Sequence, residues 1–220
     1  MGGLIALEIA KVLEESGIKV RSLINIDTTP SRRMLDNELL MERGFGMIIG
    51  ADVRAIGHTV DDELLKKAIS KLSEKHKGYI SNEDLLKLDG EFKPISECYA
   101  KLIKKTHEER LEDLYSTLSD KNGEVLGYNK ERLDILYKVF CHSFRAVISY
   151  DAGIYMGDTK VLSCKDKNTD FLPVEPTDNE EFWRSAVMGN VDIVPIEGKH
   201  LTCLLPSYAK DIASILMMED

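Results

Sequence analysis

The period of the apolar and polar positions switches repeatedly between that of a helix and that of a strand along the chain. Residues 4–13 are mostly apolar, with Glu8, Lys11 and Glu15 three and four apart on the remaining face, the pattern of a mostly buried helix. Gly17 is its natural stop. The run VRSLINI (20–26) then predicts a short strand leading into Asp27. A helix followed by such a strand is half of a βαβ unit, so Asp27 stands at a carboxyl end, where parallel sheets gather their chemistry.

After Thr28, Thr29 and Pro30 the spacing becomes helical, rich in Lys and Glu, and stays so to about Tyr155 with no strand pattern. Thr59 with Asp62 resembles a capping box opening a helix on Leu64, Leu65, Ala68, Ile69 and Leu72. A second, longer stripe runs from Ile95, Cys98, Tyr99 and Leu102 through Leu111, Leu114 and Leu118. Asn129 caps a third helix, with Leu133, Leu136, Tyr137, Phe140, Phe144, Val147 and Ile148 on its inner face. Past Gly157 the strands return as KVLSC (160–164) and VDIVPI (191–196), on either side of a helix that starts near Asp178 and carries Trp183. Gly198, Lys199 and His200 follow the last strand, and a helix over 206–217 closes the domain.

Composition narrows the classes. A chain of 220 residues buries one sizeable core, so the long helical stretch is an insertion into one domain. A net charge of -9 argues against tracking nucleic-acid phosphates, which takes clustered Lys and Arg. The four cysteines (Cys98, Cys141, Cys164, Cys203) lie in apolar stretches without metal-ligand spacing, which predicts packed, reduced thiols and a cytoplasmic setting. The apolar start lacks a basic leader and is broken by Glu8 and Lys11, so neither a signal peptide nor a membrane span is expected. The glycines form no phosphate loop and the carboxylates show no metal-type spacing, so no nucleotide, metal or other bound cofactor is expected.

Met1-Gly2-Gly3 matches the end of a G-x-S-x-G turn, S-M-G-G, in which small residues let a strained strand-to-helix turn pack while its serine stays exposed. With Asp27 ending the next strand and His200 following the last, acid and base stand in the hydrolase order of serine, acid, histidine. Asp170, after the strand ending near Cys164, is the rival acid, and Asp166 a weaker one. His58, His76, His107 and His142 belong to the insertion and read as packed or solvated, and Trp183 reads as core.

The segment MGGLIALEIAKVLEESGIKVRSLINID resembles the stretch from nucleophile helix to catalytic aspartate in C-terminal thioesterase domains of nonribosomal peptide and polyketide synthetases. The tail EEFWRSAVMGNVDIVPIEGKHLTCLL is similar to the same family's C-terminal region, while the middle matches by place only. The resemblance implies an α/β-hydrolase fold, a mostly parallel sheet flanked by helices, here without its N-terminal strands. Residues 1–30 and 156–220 would form the hydrolase core, and 31–155 a helical lid. Asp27 would orient His200, His200 would be the general base, and the Met1 backbone N–H would be one oxyanion donor, with the serine immediately before Met1. The substrate would be a peptide, depsipeptide or acyl thioester on the phosphopantetheine of a carrier-protein domain, released by water or by ring closure. An insertion of about 120 residues matches in scale the lids of depsipeptide-cyclising enzymes such as those making valinomycin or cereulide. A stand-alone editing thioesterase, and a noncatalytic module without the nucleophile, remain alternatives. Because the first helix and strand are apolar on nearly every side, further strands are expected ahead of Met1.

Overall fold

The computed structural model describes residues 1–28, 37–75, 79–118, 129–166 and 179–217. The chain divides into two compact units. One comprises Met1–Ser31, Val147–Thr169 and Pro176–Asp220, and the other Arg32–Ala146 with Asp170–Glu175.

The first unit is an α/β layer. Helix α1 (Gly2–Glu15) leads to strand β1 (Leu23–Ile26), shorter at its start than the sequence pattern predicts. Strands β2 (Thr159–Cys164) and β3 (Val191–Ile196) complete a parallel three-stranded sheet in the order β1-β2-β3, with Leu23 opposite Thr159 and Thr159 opposite Val191. Alternation along β1 sends Leu23 toward α1 and Ile24 and Ile26 to the opposite face. Leu4, Leu7 and Ala10 of α1 pack there with Leu23, Val161 and Trp183, the last from a short helix, Asn179–Ala186. On the other face Leu162, Cys164 and Ile196 meet Ile212 of the final helix, Pro206–Met217.

Burial of α1 departs from expectation. Only the Leu4, Leu7, Ala10 stripe is enclosed, and Ile5, Ile9 and Val12 are exposed on the opposite side among the described residues. An apolar pattern marks a helix whose faces favour burial; it does not say how many of them find a partner.

All regular elements among the described residues of the second unit are helices. Its helices are α2 (Glu38–Ile48), α3 (Asp62–Lys75), α4 (Asn82–Leu86), α5 (Lys93–Leu102) and α6 (His107–Ser116), with a 3₁₀ turn at Gly90–Phe92. Most of α7 (Lys130–Ser149) belongs here too; the two helices of the first unit named above are α8 and α9 in chain order. Two local readings are corrected. Helix α3 is capped by Asp61, whose Oδ1 accepts the Leu64 N–H at 3.0 Å, and not by Thr59. The long second stripe is two helices, because Thr106 and Glu109 form a capping box that starts α6 afresh. Asn129 caps α7 as predicted, accepting from Arg132 N at 3.0 Å. No helix among the described residues is long and apolar enough to cross a membrane.

Candidate active site

Asp27 follows the last residue of β1 with φ +45, the one described non-glycine residue in the left-handed region, where aspartate is among the few side chains that settle readily. Its backbone is anchored there, with its N–H donating to Leu162 O at 2.7 Å. The turn swings the carboxylate across the end of β2, where Oδ1 accepts the Cys164 N–H at 2.9 Å. The other carboxylate oxygen stands 3.0 Å from His200 Nδ1. Thr28, next in sequence, is tied down by the fully buried Trp183, whose indole N–H donates to the Thr28 carbonyl at 3.0 Å. Trp183 is therefore core, as expected, and also a clamp beside the acid.

His200 sits in a tight turn beyond β3. Gly198, at φ +96, lets the chain reverse, since a side chain there would be strained and would press on Cys203. Beyond it the Lys199 N–H donates to Thr202 Oγ1 at 3.1 Å, and Cys203 N–H returns to Lys199 O at 2.8 Å. The imidazole Nδ1 also lies 3.0 Å from the Asp27 carbonyl oxygen. Both neighbours of Nδ1 are acceptors, so this network assigns the proton to Nδ1, the tautomer in which Nε2 carries the lone pair that a base uses. Asp27 is almost enclosed while His200 is open to solvent, with side-chain exposures of 11% and 40%. Such a pair can take up a proton at Nε2 and hold the resulting imidazolium against a carboxylate.

The remaining sequence candidates lie elsewhere. Met1 stands at the head of α1, where its carbonyl accepts from Leu4 N and Ile5 N. Asp166 is 3.8 Å from Lys199 in an ion pair. Asp170 and His76 fall outside the described residues. Cys164 carries its thiol under Asp27; burial, and next the Asp27 carboxylate, push that thiol far above its ordinary value, so it stays protonated. All four cysteines are buried free thiols.

Sequence spacing did not reveal a charged cluster in the helical unit. Arg110 donates to both oxygens of the buried Glu42 (2.6 and 2.8 Å) and also to Glu38, and His107 Nδ1 lies 2.6 Å from Glu42. Glu38, Glu42 and His107 bring one ligand-type atom each within 4.8 Å of one another. A cation would have to displace the guanidinium that already satisfies both carboxylates, so the group is read as an ion-pair network. His107 is 65 residues from Glu42 along the chain, beyond the range of any spacing motif.

No family model matches the chain. Over 216 residues it is 27% identical to pyochelin synthetase PchF of Pseudomonas aeruginosa strain PAO1, covering 96% of this chain and 11% of that protein. The PchF of strain UCBPP-PA14 is 27% identical over 219 residues, with the same coverage. The chain thus spans about a tenth of the length of the curated relatives it matches. Among solved structures, the Vlm2 thioesterase domain bound with a dodecadepsipeptide is similar with a TM-score of 0.51 and 17% identity, covering 98% of this chain and 61% of that one. A second crystal form of the same complex gives 0.50 and 16%, covering 98% and 64%. The chain is therefore a homologue of part of pyochelin synthetase, matched over 96% of its own length, and it shares the α/β-hydrolase fold of the Vlm2 thioesterase domain, as its resemblance to nonribosomal peptide synthetases implied.

Proposed function

We propose that this protein is a serine thioesterase that releases an acyl or peptidyl chain from the phosphopantetheine thioester of a carrier-protein domain. The observation that carries the reading is the Asp27–His200 pair, joined at 3.0 Å across the carboxyl ends of parallel strands, with the acid after β1 and the base after β3. His200 Nε2 would take the proton of the serine that the resemblance places ahead of Met1 as its oxygen attacks the thioester carbonyl. The C–S bond then breaks, the proton passes to the departing thiol, and an acyl-enzyme remains. Water, or an amine or hydroxyl of the chain itself, then attacks the ester carbonyl and gives its proton to His200; the bond from acyl carbon to serine oxygen breaks, the proton returns to that oxygen, and an acid or a ring is freed. The Met1 N–H would stabilise the oxyanion in both steps. The helical unit would serve as the lid over residues 31–155, choosing between these outcomes by admitting or excluding water. The Vlm2 neighbour was solved with a depsipeptide, which supports a peptide or depsipeptide chain as the substrate class. Four buried thiols fit a reducing, cytoplasmic setting.

The test uses the full-length protein with an acyl-pantetheine thioester, following thiol release and the mass of the product. Asp27→Asn and His200→Ala are each expected to lower kcat by about 10³ to 10⁴, with the fold retained. A product lighter by one water than the hydrolysed acid identifies ring closure. Undiminished thiol release by His200→Ala would overturn the reading.

A further inference from the structure

Strands of a parallel sheet covered on both faces normally carry near-continuous apolar side chains. The face of β1 and β2 toward α1 departs from that rule. Asn25, Thr159, Ser163 and Asn179 are all buried there, beside Thr28. Asn25 is only 1% exposed and shares its face of β1 with Leu23, two residues before it. Its Nδ2 donates to Thr159 Oγ1 at 3.3 Å, and that hydroxyl donates on to the Leu23 carbonyl at 3.0 Å. Its Oδ1 is enclosed and has no hydrogen-bond partner. A buried carbonyl without a donor is costly and rarely kept without a use.

This oxygen is turned to the head of α1. A Cβ built on Gly3 would lie 2.4 Å from Asn25 Oδ1 and 2.3 Å from Thr28 Oγ1, so only glycine lets the helix approach so closely. The opening turn of a helix has N–H groups with no intrahelical acceptor, and Met1 supplies no side-chain cap to α1. The enclosed Asn25 carbonyl and the uncapped opening turn of α1 thus lie against each other at Gly3, in close contact and without a hydrogen bond between them.

We infer that Asn25 is a positioning residue for the reaction: its carboxamide, braced by Thr159, packs directly on Gly3, and that contact keeps the opening turn of α1 in register with Asp27 and thereby sets the nucleophile and the oxyanion donor against His200. This rests on the thioesterase reading, in which both of those groups belong to the start of α1. A shift of about 1 Å between nucleophile and base can cost on the order of 10²-fold in rate without weakening substrate binding. Asn25 would therefore act on kcat and not on KM.

The experiment compares full-length wild-type protein with Asn25→Leu, close in volume but without polar atoms, and with Asn25→Ala in case the first does not fold. Thiol release from an acyl-pantetheine thioester gives kcat and KM, and rapid mixing gives the acylation rate. The expected result is a fall of about tenfold or more in kcat and acylation rate, with KM within about threefold and a melting temperature no lower than that of wild type for Asn25→Leu. A folded variant with wild-type kcat, or one changed only in KM or in folded fraction, would overturn the inference and leave Asn25 as packing. A wild-type protein without thioester turnover would instead overturn the thioesterase reading itself, so the two failures are distinct.

Discussion

Gly3 and His58 illustrate how single positions carry consequences that composition hides. At Gly3 the space for a methyl group is already taken by Thr28 and Asn25. Gly3→Ala is expected to destabilise the folded protein by about 1–3 kcal/mol despite the better helix propensity of alanine, because two buried side chains must move. A denaturant titration decides it, and an unchanged midpoint would mean that α1 does not approach the strand this closely. At His58 burial comes first, and the nearby Arg43 and Arg110 charges second, in holding the imidazole down at about 3. Its Nδ1 is enclosed without a partner, and the ring packs edge-on to Tyr99. The folded state thus binds fewer protons than the unfolded chain between the ordinary histidine value of 6.5 and about 3. Stability from this residue is complete above 6.5 and is lost as pH falls through that window, with a slope approaching ~1.4 kcal/mol per pH unit. His58→Leu should flatten that part of the stability profile, measured by urea unfolding at a series of pH values.

Among elements, the helices show which local rules survive tertiary context. The capping boxes at Ser81–Asp84 and Thr106–Glu109 use side chain and backbone a few residues apart, so their partners are adjacent in sequence. Thr106→Ala should lower stability by ~1 kcal/mol, seen as a lower midpoint in helical ellipticity. At α3 the same kind of reading slipped: Thr59 sits beside Cys98, Asp61 takes the cap, and Asp62 pairs with Arg43 at 2.5 Å. Several acidic and hydroxyl residues in a row leave the choice to whatever else is packed nearby. Helix α2 makes the point more strongly, since Glu42 is buried only because Arg110 of α6 meets it. Glu42→Gln would leave that guanidinium short of its counter-charge and is expected to cost ~3–5 kcal/mol, far more than loss of an exposed pair such as Lys87–Glu83. Parallel denaturation curves of the two single variants would check the contrast.

At the scale of the whole molecule, each unit has its own buried residues. In the helical one they include Leu39, Phe45, Leu65, Ile69, Leu85, Ile95, Tyr99, Leu114 and Leu133. A fragment spanning residues 32–146 is expected to unfold cooperatively by itself, with a helical spectrum; a gradual, non-cooperative melt would show that it depends on the rest of the chain. The sequence alone was enough for the order of helices and strands in the first unit and for Asp27 and His200 as a pair worth testing, because periodicity and strand ends are local properties; in the helical unit it left α2 and α4 unmarked and ran α5 and α6 together. It could not show that Asp27 would take φ +45, that Cys164 N–H would hold one carboxylate oxygen, that Asn25 would be enclosed, or that Glu42, His107 and Arg110 would meet. Those facts depend on which distant segments share a layer. Only the closed fold removes the water that would otherwise satisfy each group separately, so only tertiary structure decides which polar side chains must find one another.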